Sequence, residues 1–89
     1  MVKSSLYSKA VEKFGKDHQL LVTVGELSEL SAEISNHLIS THKSKDDDIV
    51  MEIADVCIML EQCKIIFGED KVDAAIRYKL TKVQRHING

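Results

Sequence analysis

Four carboxylates stand in two pairs with helical spacing and could together hold a metal ion. Glu26 and Glu29 are three residues apart, as are Glu52 and Asp55, and residues three apart share one face of a helix. At about 100° per residue, each pair borders the apolar stripe of its own predicted helix and points into the seam between two helices. Because acids in a half-buried seam repel one another and lose hydration, a cation is expected to compensate them. Oxygen-only ligation favours Mg²⁺, with Mn²⁺ as the other candidate.

The same acids also fit a second interpretation. Either pair alone is typical of an ordinary solvated helix surface, since Glu and Asp are mostly exposed. Two pairs at matching inner borders favour a shared site, but the pattern by itself leaves both interpretations open. A di-iron carboxylate bundle is excluded, because it requires Glu-x-x-His pairs and none of the four histidines has a Glu three positions before it.

The elements that must position these acids are helices. The chain has no Pro, four Gly and no long alternation of apolar and polar residues, which predicts an all-α single domain over residues 1–89. Helix one is predicted from Lys3 to Phe14 and ends at Gly15. Asp17 is the predicted cap of helix two, which runs to a polar loop at 40–45. Helix three begins in the acidic run 46–48 and ends before Gly68, and helix four opens at Glu69.

Helix three begins with a pattern that resembles a capping box, in which Ser44 is followed three residues later by Asp47.

The apolar residues of helix three lie on more than one side. One stripe contains Ile49, Ile53, Val56, Cys57, Leu60, Cys63 and Phe67, whereas Met51, Ile58 and Ile65 lie well away from it. The inward positions predicted for helix two are Leu20, Leu27, Leu30, Ile34 and Leu38. Those predicted for helix four are Val72, Ala75, Ile76, Leu80, Val83 and Ile87. Since one four-helix chain cannot cover both sides of helix three, the pattern predicts a homodimer or a higher homo-oligomer such as a tetramer.

Composition excludes several classes of function. Twelve Lys and Arg against 14 Asp and Glu give a net charge of −2, and there is no basic face for nucleic acid or for an anionic membrane. No apolar run is long enough for a membrane span or a signal peptide, which predicts a cytoplasmic protein. Cys57 and Cys63 would lie about 9 Å apart along one helix, beyond disulfide reach, so both are predicted to be reduced core residues.

Other polar residues could assist the acids. Lys79 lies within the apolar stripe of helix four and Lys82 on its edge, so both are candidates for binding substrate phosphates, although both could equally extend into solvent. Glu33 and His37 continue the acidic stripe of helix two. They could hydrogen bond to the metal ligands, form an alternative metal position, or simply hydrogen bond to each other on the helix surface. Two loop lysines, Lys43 and Lys45, could close over a triphosphate, but a solvated basic loop is the more ordinary expectation.

The segments GELSEL at 25–30 and EIAD at 52–55 resemble the paired motif of the MazG family, EExxE followed after a spacer by ExxD. In this chain 22 residues separate Glu29 from Glu52. The surrounding sequence, from about Gln19 to Val83, is similar to phage and bacterial MazG-like pyrophosphohydrolases. The chain departs from the motif at Gly25, where the family usually has the first Glu.

The resemblance implies an oligomeric all-α bundle that hydrolyses (deoxy)nucleoside triphosphates to the monophosphate and pyrophosphate. It makes Glu26, Glu29, Glu52 and Asp55 the metal ligands. Glu29 or Glu52 is then the candidate for the carboxylate that takes a proton from the attacking water. The family also carries basic residues in the region of Lys79 and Lys82.

A different class of function remains open beside this one. The chain could be a non-catalytic helical dimerisation or regulatory module that keeps the fold, and Gly25 is the residue that favours it. Glycine inside a helix is less favourable than alanine by about 1 kcal/mol, and nothing in the sequence explains what it contributes.

Overall fold

The chain folds entirely into helices over the residues that the structure, a computed structural model, describes. These are residues 2–39 and 46–89, and none of them lies in a strand. The four helices are α1 Val2–Phe14, α2 Lys16–Ile39, α3 Asp46–Phe67 and α4 Glu69–Asn88. The predicted all-α class and the four helices are therefore confirmed. The capping box at Ser44 and the loop lysines Lys43 and Lys45 fall outside the described residues.

Two glycines end the first and third helices. Gly15 has a φ of 93° and Gly68 a φ of 113°, a left-handed conformation that residues with a Cβ rarely adopt. The Gly15 amide donates to the Val11 carbonyl at 2.9 Å, and the Gly68 amide donates to that of Lys64 at 2.8 Å. Each glycine is also the whole connection to the next helix. Because α2 already begins at Lys16, the prediction of Asp17 as its cap is wrong, and Asp17 lies in the first turn.

The antiparallel pair α2 and α3 forms the centre of the fold. Contacts between the two helices run from Gln19 with Gln62 at one end toward Glu26 with Asp55 further along, so their chain directions are opposed. Among the described helices, α1 packs against both, whereas α4 contacts α3 alone. The buried apolar side chains are Val11, Val56 and Met59, which belong to α1 and α3.

Much of the predicted core is exposed in the single chain. Leu27, Ile34 and Leu38 were predicted to point inward, but they are 45%, 43% and 72% exposed. Cys57, predicted to be a core residue, is also exposed, while Cys63 is half-buried and both are free thiols as expected. The physical reason is the rotation of α2, which turns Gln19, Thr23 and Glu26 toward α3 and leaves its leucine-rich flank uncovered.

Helix α3 carries the other uncovered apolar surface, including Val50, Met51 and Ile58 at 58%, 66% and 44% exposure. Its apolar character does not make it a membrane helix. Among the helices of the described ranges, none combines the length and the hydropathy needed to cross a bilayer. The exposed side chains of α2 and α3 are therefore surfaces that another protein surface could cover.

Candidate functional site: an acidic seam between α2 and α3

One end of the α2–α3 seam holds a buried polar cluster that the sequence reasoning missed. Gln19, Thr23 and Gln62 are only 4–6% exposed. The Gln19 side-chain amide donates to Gln62 Oε1 at 2.8 Å, and Thr23 Oγ1 donates to the Gln19 carbonyl at 2.7 Å. His18 Nδ1 lies 2.7 Å from Gln19 Oε1, and Thr23 Oγ1 lies 3.5 Å from Cys63 Sγ. The sequence does contain a pattern that could have predicted this cluster, because Gln19, Thr23 and Glu26 follow one another at i, i+4 and i+7 on one helical face.

The predicted acids lie further along the same seam. Glu26 from α2 meets Glu52 and Asp55 from α3, and one carboxylate oxygen of each lies within 4.8 Å of those of the other two. Glu29 does not belong to this triplet but adjoins it, since its carboxylate is close enough to perturb both Glu26 and Glu52. Three of the four predicted metal ligands are thus brought together, with the fourth beside them.

Burial separates the acids of this cluster from ordinary surface carboxylates. Glu26 and Glu52 are half-buried, and the Oε2 atom of each is shielded from solvent without a hydrogen-bond partner in the described part of the chain. Desolvation raises the pKa of Glu26, and the Glu29 and Asp55 carboxylates raise it further. Desolvation followed by repulsion from Glu29, Glu26 and Asp55 likewise raises the pKa of Glu52. The fold therefore places Glu26 and Glu52 where desolvation and neighbouring carboxylates make their ionised forms less favourable than in water.

The donor set fits a hard divalent cation. All the converging atoms are carboxylate oxygens, which Mg²⁺ and Mn²⁺ prefer, and no thiol or imidazole belongs to the triplet. Within the part of the chain that the structure describes, the two shielded oxygens of Glu26 and Glu52 make none of the hydrogen bonds that such shielded oxygens normally make. A cation would satisfy both atoms and would offset the repulsion that raises their pKa values.

Glu33 and His37 continue along α2 from the acids, and both are half-buried. Glu33 Oε2 and His37 Nδ1 are shielded from solvent and have no hydrogen-bond partner among the described residues. The hydrogen bond that the sequence suggested between the Glu33 and His37 side chains is therefore not formed by these two atoms. His37 also lines a groove with Ile34, Leu38, Ile49 and Val50. Neither residue joins the carboxylate triplet.

The predicted phosphate-binding lysines are not brought to the acids within one chain. Lys79 and Lys82 are exposed on α4, which has no buried residue and does not contact α2. Lys82 Nζ instead lies 5.0 Å from the centre of the Tyr78 ring, a cation–π distance. The predicted inward direction of Lys79 is therefore not observed in the single chain.

Gly25 lies immediately before the first acid of the site and is exposed in the interior of α2. A Cβ built at this position meets no atom within 4 Å, so neither packing nor backbone conformation requires glycine here. The structure does not explain why the chain has glycine at position 25.

The fold and site together define a small all-helical chain with a desolvated carboxylate cluster in its central seam. Comparison with known protein families, with curated proteins and with solved structures found no match for this chain. The resemblance to the MazG family stays a prediction that rests on the paired acidic motif and its surroundings in the sequence.

Proposed function

We propose that the chain is a Mg²⁺-dependent pyrophosphohydrolase of nucleoside triphosphates that acts in the cytoplasm. The observation that carries the proposal is the pair of shielded oxygens on Glu26 and Glu52, which lie within a cluster of carboxylates and have no hydrogen-bond partner among the described residues. A purely structural polar seam would satisfy those atoms with hydrogen bonds, as it does at Gln19 and Gln62. The MazG-like spacing of the same acids indicates the reaction class.

Glu26, Glu52 and Asp55 would hold the metal, since their oxygens already converge. When bound, Mg²⁺ supplies positive charge that offsets the charge on the phosphate oxygens and favours deprotonation of the attacking water. Glu29 adjoins the triplet without belonging to it, so its carboxylate is available to accept the proton of a water aimed at the α-phosphorus. Of the two candidates for this role, Glu29 and Glu52, the geometry therefore favours Glu29.

Self-association belongs to the same proposal. The chain exposes 7080 Å², whereas a compact monomer of its 10.0 kDa mass exposes about 5,200 Å². The difference of about 1,900 Å² exceeds the roughly 800 Å² that each partner buries in a standard interface. The exposed flanks of α2 and α3 would supply this interface, in a homodimer or a homotetramer. Light scattering coupled to size-exclusion chromatography measures the assembly directly, and a monomer at micromolar concentration would contradict it.

The decisive experiment measures release of pyrophosphate from a panel of nucleoside and deoxynucleoside triphosphates with Mg²⁺ or Mn²⁺. We expect metal-dependent turnover that Glu52→Gln largely abolishes, because the variant loses one of the three carboxylates that would hold the metal. Glu12→Gln is the matched control, because Glu12 is an exposed acid on α1. Absence of turnover on every substrate, with the variant and wild type equally folded, would instead favour the non-catalytic helical module.

A further inference from the structure

Two shielded polar atoms lie beyond the acidic triplet on the same face of α2. Glu33 Oε2 and His37 Nδ1 are closed off from solvent and have no hydrogen-bond partner within residues 2–39 and 46–89. Glu33 follows Glu26 by seven residues and His37 follows Glu33 by four, so all three share the face that borders α3. Because a shielded polar atom without a partner is unfavourable, these two atoms indicate a ligand with complementary groups.

The His37 side chain lines a groove that can hold a flat ring. The other lining residues are apolar, namely Ile34, Leu38, Ile49 and Val50, and the groove has a volume of about 420 Å³. Glu33 lies one turn before His37 on α2. An apolar lining with a few polar groups at its border is the usual composition of a small-molecule site, and the volume falls in the usual range.

The groove lies next to the acids that would hold the metal. Glu33 is seven residues beyond Glu26, which places it about 10 Å further along the axis of α2. In the opposite direction the seam is filled, because Gln19 and Gln62 are buried there and hydrogen bonded to each other. Only the ribose separates the base of a nucleotide from its α-phosphate. A nucleotide held at the metal can therefore place its base in this groove.

We propose that the groove binds the nucleobase of the substrate, and that Glu33 and His37 select bases that carry an exocyclic amino group. This inference rests on the proposed function, because it takes the ligand to be a nucleotide. An ionised carboxylate only accepts hydrogen bonds, so Glu33 requires an N–H group on the base. Cytosine and adenine carry an amino group beside a ring nitrogen that accepts a hydrogen bond. The imidazole of His37 donates to that nitrogen when Nδ1 carries the proton.

Uracil and hypoxanthine reverse both groups. Each has a carbonyl oxygen in place of the amino group of cytosine or adenine, and an N–H in place of the accepting ring nitrogen. His37 adapts to this exchange by changing its tautomer. The Glu33 carboxylate has no such alternative, since it would face an oxygen and stay without a partner. A site built around a hydrogen bond rejects analogues that cannot make it, so the groove should reject these oxo bases.

Free nucleosides test the groove without metal or turnover, because they carry no phosphate. The ¹⁵N-labelled chain is titrated with cytidine, uridine, adenosine and inosine while the NMR signals of the His37 ring and of the amides at 33–38 and 49–50 are followed. We expect cytidine and adenosine to bind about tenfold more tightly than uridine and inosine, the usual effect of a hydrogen bond to a charged group. Equal binding of all four, or no shift at these positions, would overturn the proposal. A response to dilution or to Mg²⁺ in place of the nucleosides would assign the groove to a second copy or to a metal.

A substitution at Glu33 tests the selection itself. Glu33→Gln keeps the size of the side chain and adds an amide that can donate to a carbonyl oxygen. We expect it to abolish the preference for cytidine over uridine, whereas Glu12→Gln, at an exposed position of α1, should keep that preference. In pyrophosphate release, Glu33→Gln should bring the ratio of kcat/KM for CTP over UTP close to one. An unchanged preference in Glu33→Gln would contradict the role of Glu33.

The two proposals can fail separately. If the wild type releases no pyrophosphate but still distinguishes cytidine from uridine at His37, the proposed function fails and the groove remains a base-binding site. If it hydrolyses CTP and UTP equally well, the selection by Glu33 fails and the proposed function stands.

Discussion

Two polar regions of one helical seam differ in how their buried atoms are satisfied. Gln19, Thr23 and Gln62 exchange hydrogen bonds within the chain, and their neutral side chains make the register of α2 against α3 specific. Two turns away, Glu26 and Glu52 are ionisable and partly shielded, and each has an oxygen without a partner in the described residues. The first region is complete within one chain, whereas the metal proposed above would supply the missing partners of the second. On that proposal, polar burial in one seam serves structure at one end and ligand binding at the other.

The largest expected change in stability comes from a substitution in the hydrogen-bonded region of Gln19, Thr23 and Gln62. Gln62→Leu removes the acceptor of the Gln19 amide and leaves a buried donor unpaired, which should lower the free energy of unfolding by about 1–3 kcal/mol. Denaturant titration at fixed protein concentration measures this loss. The double variant Gln19→Leu/Gln62→Leu is the control, because replacing both partners by apolar side chains should restore much of it. A single variant as stable as the wild type would show that the hydrogen bond contributes nothing.

The second prediction completes the other region with a metal. If Mg²⁺ binds the folded site alone, a concentration ten times its Kd adds about 1.4 kcal/mol to the free energy of unfolding. The thermal midpoint should therefore rise with Mg²⁺, a change that calorimetry detects readily in a chain of this size. Glu26→Gln/Glu52→Gln should remove the rise, whereas Gln19→Leu/Gln62→Leu should keep it. An equal rise in the acid variant would place the metal elsewhere.

A smaller effect is expected at Gly25, which lies between the two regions. Alanine meets no atom within 4 Å there and is the better helix former, so Gly25→Ala should raise the free energy of unfolding by about 0.5–1 kcal/mol. Pyrophosphate release should stay unchanged, because the site acids do not move. If activity falls while stability rises, glycine contributes local flexibility to the site.

The smallest effect is a pH dependence, since the two acids are half-exposed and solvent screens their interactions. The folded-state pKa of Glu26 and of Glu52 lies above the ordinary value of 4.5. The folded chain therefore binds more protons than the unfolded chain between these values, and its stability should fall as pH rises through that window. Denaturation of metal-free protein across the window measures the slope. The double variant Glu26→Gln/Glu52→Gln should flatten this slope, whereas the control variant Glu12→Gln should leave it unchanged. If the double variant keeps the same slope as the control, the two acids are not its cause.

The helices and their ends could be predicted because their causes are local. Apolar periodicity and the glycines at positions 15 and 68 determine where the helices lie. The structure confirms both predicted ends of α1, the end of α3 and the start of α4 to within a residue. The spacing also placed Glu26 with Glu29 on one face of α2, and Glu52 with Asp55 on one face of α3, but it left open whether the two pairs meet. The structure brings carboxylate oxygens of Glu26, Glu52 and Asp55 within 4.8 Å of one another.

Other features of the fold depend on neighbours that periodicity does not specify. The Gln19–Gln62 contact joins residues 43 positions apart, and only the antiparallel register of α2 and α3 brings them together. Leu27, Ile34 and Leu38 were expected inside because they are apolar, but the rotation of α2 is determined by its polar face. The distance of Lys79 from the acids likewise depends on the direction that α4 takes after Gly68. A sequence pattern does not tell whether an apolar or basic stripe is covered by its own chain or by another.

The continuity of α2 and α3 through both polar regions has an evolutionary consequence. Thr23 and Glu26 share one unbroken helix, as do Asp55 and Gln62, so the two regions have a fixed rotational phase. One inserted residue between them would turn everything beyond it by about 100°, and either the hydrogen bonds or the acids would leave the seam. Homologous genes should therefore vary more readily in sequence than in length between residues 23 and 26 and between residues 55 and 62.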